Sequence, residues 1–166
     1  MSKDSITEKF RRIQLLILDV DGVLTDGKIW LTPDGNEMKS FHTHDGMGIK
    51  NLQNAGIPVA IISSRNSPVV TARMQELGVQ HIYQGQVSKI TAFEELLSQL
   101  NISKDTVAYV GDDLPDLPVM KQVGLSIAVA NAVTQVKQQS DWQTQHTGGH
   151  GAVREVCDMI LHEQSR

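Results

Sequence analysis

Short apolar runs alternate along the chain with segments in which apolar residues recur every three or four positions. The runs are rich in Leu, Ile and Val, which is typical of strands buried on both faces of a parallel sheet. The predicted strands cover residues 13–20, 57–62, 79–83, 106–110 and 125–129. The periodic segments predict helices over residues 46–54, 68–77, 88–100, 114–123, 134–140 and 152–163. This alternation predicts an α/β fold, with a parallel sheet and helices on both of its faces.

One segment departs from the alternation. Residues 28–32 and 37–41 are predicted to form two strands, because the sequence Pro-Asp-Gly-Asn at 33–36 between them is a strong turn signal. The pattern therefore predicts a β-hairpin inserted at about residues 27–42. Because an isolated hairpin is only marginally stable in water, we expect it to pack against a neighbouring subunit.

Composition narrows the function classes. The chain has 166 residues, 40% of them hydrophobic, which predicts a single globular domain over residues 1–166. Its net charge of −4 favours neither nucleic-acid binding nor a basic membrane patch. No run approaches the ~20 apolar residues that span a bilayer, and the polar residues 1–12 predict neither a signal peptide nor an anchor. The single cysteine, Cys157, forms no intramolecular disulfide and is expected in the core, which fits a cytoplasmic protein.

The segment LLILDVDGVLTDG, residues 15–27, carries the first chemical signal. Its apolar start predicts a buried strand that delivers Asp19 and Asp21 onto a glycine-containing turn, and Asp26 follows. In an open α/β fold, ligands bind at the carboxyl ends of the strands. Two carboxylates placed there repel each other unless a cation binds, and Mg²⁺ prefers oxygen ligands and leaves room for a phosphate. The segment therefore predicts magnesium-dependent phosphoryl chemistry.

A second group of acids follows the fourth predicted strand. It consists of Asp112, Asp113 and Asp116. The dipole of a helix favours acids in its first turn, and this explains Asp113 and Asp116. It explains less well why Asp112 comes directly after a buried strand. Because neighbouring strand ends meet where the strand order reverses, we expect Asp112 to complete a magnesium site with Asp19.

Two further strands are followed by residues that suit a phosphate group. Ser63, Ser64 and Arg65 follow the second strand, where hydroxyls and backbone N–H groups can bind phosphate oxygens, although these residues are also ordinary before a helix. Lys89 lies at the start of a predicted helix, where it opposes the helix dipole and suggests a nearby anion; a solvated surface lysine explains it equally well. All four strand ends are predicted at one edge of the sheet, so the signals support one another.

These residue types suit the hydrolysis of a phosphate ester in two steps. One carboxylate attacks phosphorus and forms an aspartyl phosphate. A second acid protonates the leaving oxygen and then activates a water molecule. A metal ion and a lysine neutralise the phosphoryl oxygens.

The motifs DVDGVLTDG, IISSR, YQGQVSK and GDDLPD occur in this order and resemble the four motifs of the haloacid dehalogenase (HAD) superfamily. The segments FHTHDGMGIK and GGHGAVREV extend the similarity, over about residues 13–160, to its phosphatases of 3-deoxy-D-manno-octulosonate 8-phosphate (KDO 8-phosphate). The resemblance implies a Rossmann-like fold. It also implies a magnesium-dependent phosphatase that releases KDO and inorganic phosphate from this small phosphorylated sugar acid, in lipopolysaccharide precursor synthesis.

The resemblance also implies roles for individual residues. Asp19 is expected to be the nucleophile and Asp21 the general acid and base. Mg²⁺ is expected to bind the Asp19 carboxylate, the backbone carbonyl of Asp21 and Asp112, with Asp113 just behind these ligands.

The same comparison assigns phosphate binding to Ser63 and Lys89. The chain departs from the family pattern at Ser64, where a glycine is usual, and at His150, where an arginine is usual. Ser64 restricts the backbone at that turn, and His150 would contact an anion weakly and in a pH-dependent way.

The chain leaves no room for a lid domain. The stretches from Asp21 to Ser63 and from Ser63 to Lys89 are both shorter than the ~50 residues that a separate domain needs. An open site would admit water and weaken its electrostatic interactions. We therefore expect a homo-oligomer whose neighbouring subunits cover the sites.

The resemblance implies a homotetramer in which the hairpins form a central barrel. In that family the C-terminal tail, here about residues 145–166, reaches the site of an adjacent subunit. Gly148 and Gly149 are predicted to be its flexible hinge, and Arg154 is a candidate for binding an anion; a helix entrance with a glycine pair is the alternative.

Further candidates concern the substrate. Asp45 and Gly46 belong to a short glycine-rich segment that could cradle a phosphate, and by resemblance they line the substrate pocket. Arg65 and Arg73 are candidate partners of a substrate carboxylate. Surface arginines are common, so both assignments remain open.

Three alternatives also remain open. The substrate could be another small sugar or sugar-acid phosphate. The chain could be a non-catalytic phosphoacceptor, but receiver domains of that kind place the acceptor after the third strand, where this chain has Tyr83 and Gln84. It could also be a degenerate assembly domain, which the intact acids argue against.

Overall fold

A computed structural model describes residues 5–166. The strands are β1 Leu15–Leu18, β2 Trp30–Leu31, β3 Glu37–Met38, β4 Val59–Ile62, β5 His81–Tyr83, β6 Val107–Gly111, β7 Leu125–Ala128 and β8 Trp142–Gln143. The α-helices are α1 Ile6–Arg11, α2 Thr43–Asn54, α3 Pro68–Glu76, α4 Lys89–Leu100, α5 Leu117–Met120, α6 Thr134–Gln139 and α7 Ala152–Gln164. Short 3₁₀ helices span Lys104–Thr106 and Leu114–Asp116.

Six strands form one parallel sheet in the order β5-β4-β1-β6-β7-β8. The chain moves outward from β1 to β4 and β5, then returns to the other side of β1 and continues from β6 to β7 and β8. Because such crossovers are right-handed, the helices of the two halves cover opposite faces. Accordingly, α2 packs with α7 on one side and α4 with α5 on the other. This confirms the predicted Rossmann-like parallel sheet.

The strands at the centre of the sheet are apolar because helices cover both of their faces. Every residue of β1, β4, β6 and β7 is buried. Cys157 lies fully buried on α7, as its position in an amphipathic pattern predicted. The sheet edge strand β8 was not predicted, because two residues are too few to give a pattern.

Helix α1 was not predicted, and two of the predicted helices differ in the structure. The segment predicted as one helix over 114–123 forms a 3₁₀ turn and the short α5, and each begins with a proline in its first turn. Proline fits there because it lacks the N–H that later helical positions need. The helix predicted from 46 begins at Thr43, so the glycine-rich segment is helical and the predicted phosphate-cradling loop is wrong.

The inserted hairpin is present, with Trp30 opposite Met38 and Leu31 opposite Glu37. Its strands are shorter than predicted and form a separate two-stranded sheet. Its apolar side chains are largely exposed: Ile29, Trp30, Leu31 and Met38. Within residues 5–166 there is no cap domain on the sheet, and no helix has the length and apolar character needed to cross a membrane.

A candidate active site where the strand order reverses

The strand order reverses between β1 and β6, which lie side by side with Leu18 opposite Val110. The two loops that follow these strands carry the candidate carboxylates. The backbone N–H of Asp19 donates to the carbonyl of Val110 at 3.2 Å and holds the two strand ends together. Carboxylate oxygens of Asp19, Asp112 and Asp116 lie within 4.8 Å of one another. The predicted meeting of the two acidic loops is therefore observed, and the group could hold a metal ion.

A glycine allows the two loops to approach. Gly22 has a φ of +86°, and a Cβ at this position would overlap the carboxylate of Asp112. Only glycine adopts this backbone conformation without strain while leaving that space free. The glycine of the DVDG motif thus sets the distance between the two acidic loops.

Asp116 forms several hydrogen bonds that order the site. Its sequence position was explained only by a helix N-terminus. Its Oδ1 accepts hydrogen bonds from Tyr109 Oη at 2.6 Å and Lys89 Nζ at 2.7 Å. Its Oδ2 accepts the backbone N–H groups of Asp112 at 2.9 Å and Asp113 at 3.2 Å. Because these donors occupy both oxygens, Asp116 orders the acidic loop.

Lys89 joins this group from the start of α4. Its buried ammonium group lies 3.0 Å from Asp19 Oδ1 and 2.7 Å from Asp116 Oδ1. Burial lowers the pKa of Lys89, but the charges of Asp19 and Asp116 raise it further, so the net direction is upward. The lysine is therefore a fixed cation of the site, which excludes the alternative of a solvated surface lysine.

The two strand-end carboxylates are costly in their charged form. Burial, followed by the charge of Asp116, raises the pKa of Asp19 to about 7, against the lowering effect of Lys89. Burial, followed by the charges of Asp19 and Asp116, raises the pKa of Asp112 to about 8. A divalent cation at this position would favour both charged forms, which is the behaviour of a metal-binding pair.

We expect the metal-free protein to lose stability as the pH rises. Because the pKa values of Asp19 and Asp112 are raised, the folded chain keeps protons that the unfolded chain releases near pH 4. Holding these protons stabilises the folded state. The contribution is full below about pH 4 and is lost as the pH rises through about 7 to 8. Thermal unfolding in EDTA from pH 5 to pH 8 measures it. Asp112→Asn should flatten the slope, as should saturating Mg²⁺; an equally steep slope in the variant contradicts the assignment.

The loop after β4 contributes one buried and two exposed residues. Ser63 is buried at the strand end, and its backbone N–H donates to the carbonyl of Tyr83 at 2.8 Å. Ser64 and Arg65 are exposed on the same loop. The Ser63 position beside the end of β1 follows from the pairing of β4 with β1. These three residues lie at the predicted edge of the sheet.

Asp21 has ion-pair partners that were not predicted from the sequence. Its carboxylate contacts Lys39, which comes from the hairpin, and Arg65 Nε lies 4.0 Å from it. Lys39 and Arg65 also share Glu37 as a partner. One sequence signal could have predicted the contact of Lys39 with Asp21. It is a charged residue on the hairpin strand that returns toward the acids.

Comparison with known proteins gives a consistent result. Residues 78–156 match the family of haloacid dehalogenase-like hydrolases. The chain is 49% identical over 97% of its length, and 86% of the relative's, to the 3-deoxy-D-manno-octulosonate 8-phosphate phosphatase KdsC of Escherichia coli K12. This chain belongs to the haloacid dehalogenase-like hydrolases, in the family of the KDO 8-phosphate phosphatases.

Two solved structures support this membership. The phosphatase of Moraxella catarrhalis, solved with a magnesium ion, a phosphate ion and a KDO molecule, superposes with a TM-score of 0.94 at 46% identity, covering 96% of this chain and 92% of that one. A HAD superfamily (subfamily III A) hydrolase of Legionella pneumophila superposes with a TM-score of 0.95 at 54% identity, covering 96% and 88%. Membership in this family argues against a receiver-type phosphoacceptor.

In this HAD-like hydrolase, three residues that were predicted to contact the substrate take part in the packing of helices. Asp45 is buried in the first turn of α2, and its Oδ1 accepts the backbone N–H of Arg154 at 2.9 Å, so it caps α7. Gly46 faces Arg73, and Arg73 pairs with Glu76 at 2.9 Å. Asp45, Gly46 and Arg73 therefore contribute to helix packing in this chain, and their assignment to a substrate pocket stays a prediction.

The glycine pair of the hydrolase is also not a hinge. The N–H of Gly149 donates to the carbonyl of Val23 at 3.2 Å, and a Cβ on Gly148 would overlap the carbonyl oxygen of Gly22. Asn131 connects the same segments, donating to the Gly22 carbonyl at 3.0 Å and accepting the Gly148 N–H at 2.6 Å. The glycines allow close packing of the segment on the chain's own active-site loop.

The rest of that segment folds back as well. Helix α7 packs against α2 and α1 of the same chain. The Arg154 guanidinium is paired with both oxygens of Asp158, at 3.0 and 2.9 Å, and the exposed His150 ring contacts the Gly148 carbonyl at 3.1 Å. The apolar face of α7 is therefore buried on its own subunit, and contact of residues 145–166 with a neighbouring subunit stays a prediction.

Proposed function

We propose that this chain is a magnesium-dependent phosphatase that hydrolyses KDO 8-phosphate to KDO and inorganic phosphate through an aspartyl-phosphate intermediate. The observation that carries the proposal is the pair of the buried Asp19 and the half-buried Asp112, with Lys89 beside it, where the strand order reverses. The relatives named for this reaction, and the neighbour solved with magnesium, phosphate and KDO, support the substrate.

The residues present fit a magnesium ion. The pair Asp19 and Asp112 offers hard carboxylate oxygens whose pKa values are raised by burial and by neighbouring acids, a cost that a bound cation would relieve, and Asp116 uses its own oxygens for other bonds. We propose Asp19, the backbone carbonyl of Asp21 and Asp112 as ligands. Asp113, which caps the adjacent 3₁₀ turn through Leu114 N–H at 2.8 Å, would stand behind them. When bound, the ion neutralises phosphoryl oxygens and orients them.

The chain's own residues account for both steps. Asp19 attacks phosphorus, a P–O bond to Asp19 forms, and the P–O bond to the sugar breaks. The carboxyl group of Asp21 gives its proton to the departing sugar oxygen, so the product leaves as an alcohol. In the second step Asp21 takes a proton from water as the water oxygen attacks phosphorus, which releases phosphate and regenerates the Asp19 carboxylate.

Two other groups would bind the transferred phosphoryl group. Lys89 supplies a fixed positive charge next to the nucleophile. The hydroxyl of Ser63 and the backbone N–H groups at Ser64 and Arg65 lie on the loop of the neighbouring strand. Removing one such interaction typically lowers the rate ~10²–10³-fold.

The test is a screen of phosphate release from small sugar phosphates, including KDO 8-phosphate, with Mg²⁺. We expect KDO 8-phosphate to be the best substrate, EDTA to stop turnover and Mg²⁺ to restore it. A better rate on another sugar or sugar-acid phosphate would refute the substrate and keep the phosphatase. No release from any ester would refute the activity, and a stable phosphorylated chain would then favour a phosphoacceptor.

We further propose that the enzyme works in the cytoplasm, in lipopolysaccharide precursor synthesis, as a homo-oligomer, with a tetramer favoured by the family resemblance. The buried free thiol of Cys157 is compatible with a reducing compartment. The exposed apolar hairpin is suited to association, since isolated soluble chains rarely leave such a patch in water. Neighbouring subunits would then cover the sites with their hairpins and, as the family resemblance implies, with their C-terminal tails.

We expect the hairpin to control assembly. Replacing residues 28–41 by a short loop, or changing Trp30 and Leu31 to glutamate, should lower the sedimentation coefficient to that of a smaller species, because charges cannot be buried in an apolar interface. Ile6→Glu, an exposed apolar position on α1, is the matched control and should not change it. An unchanged coefficient in the hairpin variants would exclude this interface.

A further inference from the structure

A buried lysine from the hairpin contacts the carboxylate of Asp21. The Lys39 side chain is only 1% exposed, and its ammonium group contacts Asp21 Oδ1 and lies 3.1 Å from Glu37 Oε1. An ammonium group removed from water needs close carboxylate partners, and losing one of them costs stability. Lys39 is therefore held in one position by two charges and is not a mobile surface lysine.

The second partner of Lys39 is itself anchored. Arg65 Nη2 lies 2.8 Å from Glu37 Oε1. Burial raises the pKa of Glu37, but hydrogen bonds from Lys39 and Arg65 lower it further, so the group is held as a carboxylate. Together these contacts form a chain of alternating charges: Asp21, Lys39, Glu37 and Arg65. This chain of charges connects the loop after β1, the returning hairpin strand and the loop after β4.

Asp21 depends on this arrangement for its orientation. Among residues 5–166, Lys39 is the only residue that donates a hydrogen bond to the Asp21 carboxylate. The Asp21 side chain is 22% exposed, so it borders solvent on one side and is not enclosed by packing there. A proton-transfer group that is displaced by a fraction of an ångström loses much of its effect, so a group that restrains it contributes to the rate.

We propose that Lys39 is a positioning residue for Asp21, and that the inserted hairpin is part of the catalytic machinery as well as a surface for association. The proposal rests on the proposed function, in which Asp21 protonates the leaving oxygen and then accepts a proton from water. Lys39 holds the Asp21 side chain at the strand ends, as the protonated acid before the first transfer and as the carboxylate before the second, and Glu37 and Arg65 hold Lys39.

The test separates the two steps by the choice of leaving group. Lys39→Met removes the charge and keeps the apolar stem. With KDO 8-phosphate, turnover should fall about 10²-fold and KM should change by less than about threefold, because transition-state positioning is lost. With p-nitrophenyl phosphate, whose leaving group needs no proton, a rapid burst of p-nitrophenolate should appear before slow turnover, because only the hydrolysis of the aspartyl phosphate still needs Asp21.

Two further variants complete the experiment. Glu37→Gln should give the same burst with a smaller loss of turnover, and it keeps the test usable if Lys39→Met does not fold. Lys104→Met, an exposed lysine in the 3₁₀ helix that precedes β6, should behave as the wild type.

Four outcomes overturn the proposal. A burst rate that falls in parallel with turnover would indicate a general structural role of Lys39. A raised KM with unchanged kcat would make it a substrate contact. If Lys39→Met turns over as fast as the wild type, the positioning role alone is refuted. If the wild type hydrolyses neither ester, the proposed function is refuted together with this inference.

Discussion

Asp19→Asn is expected to abolish phosphate release, by about 10⁴-fold or more, while the protein remains folded. Asparagine has nearly the same volume but cannot attack phosphorus. It also removes a charge that Asp112 and Asp116 repel, so the folded state loses little apart from one of the two partners of Lys89. Phosphate release with Mg²⁺, and circular dichroism on the same sample, measure the two parts of this result.

The matched control is Asp26→Asn, an exposed acid in the loop that follows the same strand. Its carboxylate accepts only the nearby Lys28 N–H at 2.9 Å among the contacts within residues 5–166, so turnover should remain close to that of the wild type. Magnesium-dependent turnover by Asp19→Asn at a comparable rate would exclude Asp19 as the nucleophile.

Asp112→Asn is expected to have the second largest effect, because it removes a charged ligand from the proposed magnesium site. Turnover at saturating substrate should fall about 10²–10³-fold, and magnesium affinity should fall at least about tenfold. Titration calorimetry with Mg²⁺ and metal-dependent phosphate release measure both quantities.

Asp113→Asn is the control for this prediction, since Asp113 is adjacent in sequence but exposed and bonded to its own turn. Its effects should be several times smaller. Equal losses of magnesium affinity in the two variants would mean that the net charge of the loop, and not ligation by Asp112, attracts the ion.

The five main strands could be predicted because each is a buried apolar run, and the reversal of strand order then places Asp19 next to Asp112. Boundaries were less accurate where proline divides the segment after the acidic loop. Strand β8 gave no signal, since two partly exposed residues show no periodicity.

Asp116 shows why part of the site was missed. Its position near a helix start was explained by the local dipole, and that explanation is compatible with the structure, in which it forms a capping box with Asp113. The sequence contains no sign that Lys89 and Tyr109 also bind it, because those contacts join segments that are distant along the chain. Lys39 was missed for the same reason.

Gly148 and Gly149 show the opposite error. A glycine pair permits flexibility, and it equally permits two backbones to touch; the local sequence is the same in both cases. The contact with the Gly22 carbonyl decides for close packing. Asp45 and Gly46 were likewise assigned to a loop until helix α2 was found to begin before them.

The sequence alone determined the order of the five main strands and of the helices between them, the hairpin, and the acids that follow β1 and β6, because burial and turn chemistry are local and leave a periodic pattern. Only the tertiary structure decided which charges pair: Asp116 with Lys89, Lys39 with Asp21, and Asp45 with the start of α7. The physical reason is that a charge has no periodicity, and its partner is chosen by the packing that brings distant segments together.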